Sequence, residues 1–315
     1  MPRSPSPASS TLLPVALLVV AMASIQAGAA IAKGMFAVVG PIGAVTLRVL
    51  FAALLLGIVL RPWRVRRSAA AWRTVLVYGL ALGGMNCLFY AALRTVPLGV
   101  ATALEFTGPL AVAMLASRRL VDFLWIALAV VGLLLLLPLG GASAALDPAG
   151  VAYALAAGAC WALYILFGRR AGAEHGLQTT AVGMAVAAVV VLPFGVASAG
   201  AALLTPSILP YAVAVAVLSS ALPYSLEMFA LPRLPARTFG TLMSVEPAFG
   251  ALSGLVILDE RLAGQQWLAL AAIVAASIGT TLTAAASREP PPVAADPTVG
   301  DLDPAATVPA PDVPG

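Results

Sequence analysis

Apolar runs of about twenty residues, separated by short stretches carrying arginine, glycine or proline, recur along nearly the whole chain. They cover 12–31, 41–60, 74–93, 97–116, 122–139, 149–167, 178–196, 208–230, 238–258 and 265–283. A helix rising about 1.5 Å per residue crosses a hydrocarbon layer about 30 Å thick in roughly 20 residues. The pattern therefore predicts an all-α membrane protein of about ten transmembrane helices. In lipid every backbone N–H and C=O must be paired within its own segment, so helices are the only open-chain solution.

Residues 1–11 precede the first run and form an N-terminal segment. The run itself ends in Ala27-Gly28-Ala29 and follows Arg3, which gives it a faint likeness to a cleavable leader. It is longer than a leader core, and the internal duplication below needs it as a retained helix.

Composition sharpens this picture. Apolar residues make up 61% of the chain and charged residues only 10%, with a mean hydropathy of +1.02. Soluble domains carry about a quarter charged residues, so a water-surrounded fold has no use for this balance. The net charge of +4 comes from bases dispersed in short loops, which speaks against a nucleic-acid partner.

Their placement instead sets the topology. Arg3, the cluster Arg61, Arg64, Arg66, Arg67 and Arg73, then Arg118, Arg119, Arg169, Arg170, Arg233, Arg237 and Arg288 all fall on one side of the predicted spans. Only Lys33, Arg94 and Arg261 fall on the other. Basic loops stay in the cytoplasm, so both termini are expected on the cytoplasmic side of the membrane. Residues 284–315 turn abruptly to proline, aspartate and alanine and are expected to be a disordered cytoplasmic tail. Cys87 and Cys160 both lie inside apolar spans and form no CxxC pair, which indicates neither a disulfide nor a metal site.

The two halves echo one another at a separation of 136 to 138 residues. Ala21–Lys33 (AMASIQAGAAIAK) runs beside Ala157–Arg169 (AGACWALYILFGR), each ending in a base. Thr107-Gly108-Pro109-Leu110 runs beside Val245-Glu246-Pro247-Ala248. Two five-helix repeats, 12–139 and 149–283, are therefore expected. Five is odd, so the second repeat inserts upside down relative to the first, and such halves rock about a site near the midplane.

Four ionisable residues fall inside spans, where each costs at least about 2.5 to 3.5 kcal/mol on insertion scales. Arg48 and Glu105 lie at similar depth, roughly 10 to 12 Å from the outer ends of their spans, so an ion pair or a shared cavity is expected of them. Glu246 lies roughly 12 Å from the inner end of its span and mirrors Glu105 across the midplane. Glu105 precedes Gly108-Pro109 and Glu246 precedes Pro247, and proline frees a backbone carbonyl where a helix faces a polar cavity. Glu227 sits near the inner end of its span, where a glutamate reaches the water interface.

An arginine and glutamates at depth match the carboxylate and the ammonium of a free amino acid. Ser24, Gln26, Asn86, Tyr90, Trp161, Tyr164 and Tyr224 lie at depths that complete such a cavity, although aromatic residues in spans more often pack helices. Lone His175 is expected to be solvated in a cytoplasmic loop. No Walker loop, HExxH, GxSxG or dinucleotide fingerprint occurs, so neither enzyme chemistry nor a cofactor has residues to support it.

VAMASIQ at 20–26, ALEFTGPLAVA at 103–113, GACWALYI at 158–165, RAGAEHG at 170–176, ALPYSLEM at 221–228 and RTFGTLMSVEPA at 237–248 resemble a known family. Over residues 12–283 the chain is similar to the bacterial inner-membrane threonine/homoserine exporters of the drug/metabolite transporter superfamily. The resemblance implies two inverted EamA-type repeats, export of L-threonine and L-homoserine, and antiport against protons. Glu105 and Glu246 fall within the matching blocks and are the expected proton-coupling groups. Two other readings stand beside it: an exporter of another small metabolite or a drug, and a sensor or assembly subunit, against which the short loops count. The number of subunits is left open by the sequence.

Overall fold

The computed structural model describes residues 7–115, 120–136, 146–230, 243 and 245–286. Every regular element among them is helical. The helices are α1 (Pro7–Lys33), α2 (Phe36–Leu60), α3 (Ala69–Ala92), α4 (Leu98–Glu105), α5 (Thr107–Leu115), α6 (Leu120–Leu136), α7 (Pro148–His175), α8 (Leu177–Ala199), α9 (Leu209–Ala216), α10 (Leu222–Ala230), α11 (Glu246–Leu258) and α12 (Gly264–Ala286). Six helical segments are long and apolar enough to cross a membrane, and four shorter apolar ones bring the described spans to ten. Large apolar side chains such as Leu54, Ile58, Phe123 and Val256 stay exposed, as a lipid-facing surface requires. The expected tail lies outside the described residues from 287 onward, as do Arg3, Arg118, Arg119, Arg233, Arg237 and Arg288.

Three spans depart from the unbroken helices that the apolar runs predict. In the fourth, α4 stops at Glu105 and α5 starts at Thr107. Pro109 has no N–H to offer the carbonyl four residues back, which is that of Glu105, so the ladder opens there. The freed carbonyl is met by α7: a Cβ on Gly158 would come within 2.5 Å of Glu105 O, and one on Gly108 would overlap the Gly158 peptide. The eighth span holds a π turn, Val217–Ala221, between α9 and α10. Pro223 cannot pair with the Ser219 carbonyl, and the chain absorbs the missing bond as a wider turn. In the ninth, Met243 is helical, Val245 is a turn and α11 starts at Glu246; the rest of 231–244 lies outside the described residues.

α7 also runs eight residues past its expected end at 167, so His175 closes a helix instead of lying in a solvated loop. Its side chain is 13% exposed. Gly176, at φ 54°, ends the helix by donating its N–H to Gly172 O. Asp147 starts the same helix by accepting from Ala149 and Gly150 N–H groups, and Thr95 Oγ1 donates to it at 2.8 Å.

The packing pattern repeats between the halves. α3 lies on α7 as α1 lies on α10; α3 touches α8 as α2 touches α9; and α4 and α5 lie on α7 as α11 lies on α1. The contacts of α2 with α8, α4 with α11 and α6 with α12 map onto themselves when each span is exchanged for the one five places on. Close approach comes from small residues, as expected where apolar lipid offers no drive for helices to associate.

Candidate substrate site

Seven of the spans converge on a cavity of about 40 Å³ lined by apolar Ile25, Ala29, Met85, Phe89 and Trp161. Its polar wall is Gln26 of α1, Arg48 of α2, Asn86 of α3, Glu105 of α4, Tyr224 and Glu227 of α10, and Glu246 of α11. All four charged residues are buried: Arg48 is 3% exposed, Glu246 4%, and Glu105 and Glu227 7% each.

Arg48 is held by neutral groups. Its Nε donates to Ser220 Oγ at 2.9 Å, one terminal nitrogen donates to Tyr90 Oη at 2.9 Å, and the other donates to Asn86 Oδ1. Its guanidinium also lies 5.0 Å from the Tyr90 ring centroid. The ion pair with Glu105 expected from their matching depth does not form, although both line the one cavity. The guanidinium has five N–H groups in a fixed fork, and three are engaged. An arginine fixed in this way presents a positive charge to the cavity without a carboxylate against it.

Glu246 stands opposite in character. Gln26 Nε2 donates to its Oε1 at 3.0 Å, while Oε2 is buried without a hydrogen-bond partner. Gln26 is steadied in turn by Thr102, whose Oγ1 lies 3.3 Å from Gln26 Oε1. Glu246 opens α11 and Glu105 closes α4, so the broken spans aim a positive helix pole at one carboxylate and a negative pole at the other. A ligand with one cationic and one anionic end finds a complement for each here: carboxylates and a free carboxylate oxygen for the first, a guanidinium for the second.

Of the other residues singled out in the sequence, three lie behind the wall. Tyr90 supports Arg48 from the rear. Tyr164 stacks between Tyr78 and Tyr224, with ring centroids 5.0 and 6.0 Å away. Ser24 Oγ donates at 2.5 Å to the carbonyl of Leu218, which the π turn presents. Glu227, expected at the interface, instead belongs to the cavity wall, because the π turn and α10 fold it inward against α1 and α8. Ser220 was missed. A serine in an apolar run gives no signal by itself, but Pro223 three residues on is the mark of the irregular turn that exposes it.

Residues 148–282 match the EamA-like transporter family. The chain is 58% identical over 278 residues to the threonine/homoserine exporter RhtA of Salmonella typhimurium, covering 88% of this chain and 94% of that protein. It is 57% identical over 271 residues to the exporter of the same name in Escherichia coli, covering 86% and 92%. A more distant likeness, 27% over 228 residues, joins it to the uncharacterized transporter YwfM of Bacillus subtilis, with 70% and 75% covered. A solved crystal structure superimposes with a TM-score of 0.63 over 90% of this chain and all of the other; at 20% identity it speaks for the fold alone.

Proposed function

Because the chain belongs to the EamA-like transporter family, within which it groups with the threonine/homoserine exporters, we propose that it carries L-threonine and L-homoserine out of the cell in exchange for protons. The observation that carries this reading is Arg48, a buried cation fixed by three neutral partners and facing a cavity that also holds a carboxylate oxygen without a partner. The substrate carboxylate docks on Arg48 and its ammonium on Glu246 or Glu105. A proton arriving on that glutamate removes the charge that holds the ammonium, so proton and amino acid compete for one site.

A cavity of about 40 Å³ has room for a few waters, less than an amino acid needs. Substrate therefore enters and leaves by parting of the helices. The exchange of packing partners between spans five apart supports two inverted repeats, 12–139 and 149–283, and the family match at 148–282 falls on the second. Rocking of one repeat against the other opens the cavity to each side in turn. The count of bases in alternate loops supports cytoplasmic termini, and the relatives support the inner membrane as the location.

Purified protein in proteoliposomes, assayed for counterflow of radiolabelled threonine with and without a pH gradient, tests the reading. Counterflow above that of empty liposomes, accelerated by the gradient and abolished in Glu246→Gln, is expected. No counterflow at all overturns the substrate; counterflow indifferent to the gradient overturns the coupling alone.

A further inference from the structure

Two buried hydroxyls outside the cavity have no hydrogen-bond partner among the described residues: Tyr78 Oη and Thr180 Oγ1. Both residues are fully buried. Tyr78 is held with care. Its ring from α3 lies between Gly168 of α7 and Gly183 of α8; a Cβ on Gly168 would come within 3.0 Å of Tyr78 Cε2, and one on Gly183 would overlap the ring. Phenylalanine would fill that slot equally well and leave no oxygen stranded, so packing does not account for the hydroxyl. Buried polar groups without partners carry a cost, and in native proteins they ask for a reason.

The surroundings supply one. On the cavity side the Tyr78 and Tyr164 rings lie 5.0 Å apart, and the Tyr164 hydroxyl lies beside the Glu227 carboxylate. On the other side, the Tyr78 hydroxyl faces Thr180 without reaching hydrogen-bond geometry. Thr180 is in the first turn of α8, roughly 5 Å along the axis from the corner with α7. The positive-inside orientation puts that corner in the cytoplasm.

We propose that the hydroxyls of Tyr164, Tyr78 and Thr180 form a proton relay joining Glu227 in the cavity wall to the cytoplasmic corner of α7 and α8, apart from the path of the amino acid. The proposal rests on the proton-coupled reading and the orientation given above. Protonated Glu227 gives its proton to a lone pair of Tyr164 Oη as that hydroxyl passes its own proton to Tyr78 Oη. Tyr78 passes one to Thr180 Oγ1, and Thr180 releases one to water at the corner. Each hydroxyl is neutral before and after, Glu227 is left as a carboxylate, one proton has moved and no bond between heavy atoms has changed. Glu246 of α11 faces Glu227 and recharges it from the cavity. Other charged or titratable groups around this line include Glu105 of α4, Arg48 of α2, Tyr224 of α10 and, toward the corner, Arg169 and Arg170 in the last two turns of α7 and His175 with Glu174. α1 contributes only the amide of Gln26.

Tyr78→Phe and Thr180→Val each delete one hydroxyl and keep the volume, and each is assayed in proteoliposomes for two activities. Net threonine transport driven by a pH gradient is expected to fall by roughly tenfold or more, the scale of an impaired proton transfer. Threonine–threonine exchange at equal pH on both sides, which needs no net proton movement, is expected to stay at the wild-type rate. Thr180→Ser is expected to restore gradient-driven transport, since it returns the hydroxyl. Gradient-driven transport unchanged in both variants overturns the relay, and so does an equal fall in the two activities, which marks a structural role. Wild-type transport that ignores the gradient overturns the relay together with proton coupling and leaves the substrate assignment standing.

Discussion

Lys33 Nζ and Glu260 Oε1 lie 2.5 Å apart, tying the last residue of α1 to the corner between α11 and α12. The other oxygen of Glu260 accepts the N–H of Leu98 at 2.8 Å, so one carboxylate also closes an open donor at the start of α4. The first half of the chain is thereby fastened to the second on the face opposite the basic loops.

Breaking this tie is expected to favour the state open to the outside. The pair is worth about 1 kcal/mol, or roughly a fivefold shift in population. With Cys87 and Cys160 replaced, a single cysteine introduced at Ala29 and labelled by an impermeant maleimide from outside should react correspondingly faster in Glu260→Gln. Equal labelling rates mean that the tie does not restrain opening.

Arg48→Lys keeps the charge but replaces a planar fork by a point charge that cannot span Ser220, Tyr90, Asn86 and a substrate carboxylate together. Loss of one or two charge-assisted hydrogen bonds, each about 1.5 to 3 kcal/mol, lowers threonine transport by at least roughly tenfold. Initial rates across a range of threonine concentrations check it, and the loss should appear as a raised KM.

Gly158→Ala puts a methyl group against the Glu105 carbonyl, backbone that cannot step aside. A destabilisation of about 1 to 3 kcal/mol is expected. Gly84→Ala is the control, because its added Cβ meets only the Cys160 side chain, at 3.2 Å. Thermal unfolding in detergent should separate the two variants by several degrees; coincident curves would show that the α4–α7 crossing is looser than its geometry.

Asp147 gives a pH-dependent contribution. The Thr95 hydroxyl, and after it the Ala149 N–H, hold its carboxyl below the usual carboxylate range. A folded pKa lower than the unfolded one stabilises the folded state above the unfolded pKa of about 3.9, and that stability is lost as pH falls through the folded value. The melting temperature of wild type should exceed that of Asp147→Ala at neutral pH, and the gap should shrink as pH is lowered from about 5 toward 2. A gap constant with pH would refute the assignment.

Hydropathy made the spans readable because lipid imposes a length and a composition on each crossing. The run ending at 60 stops where α2 stops, with Arg61 as its cap. Hydropathy could not show that the fourth and eighth spans are interrupted, since Pro109 and Pro223 break hydrogen bonds without changing the apolar average. Arg48, Glu105 and Glu246 stood out because charge at depth is costly, and the structure brings them to one cavity. Depth along a helix says nothing of the direction in which a side chain leaves it. For that reason, of the ion pair or shared cavity expected of Arg48 and Glu105, only the cavity is found, while Tyr90 and Tyr164 looked like wall residues and Glu227 like an interfacial one.

The π turn at Val217–Ala221 does more than bend a helix. It takes in one surplus residue while α9 and α10 continue on either side, so Tyr224 and Glu227 keep their facing. What it adds is a bare carbonyl and a serine hydroxyl in the middle of hydrocarbon, one spent on Ser24 and the other on Arg48. Chain length at this point is thus part of the chemistry: trimming a single residue would leave a tidier helix and a guanidinium with one anchor fewer.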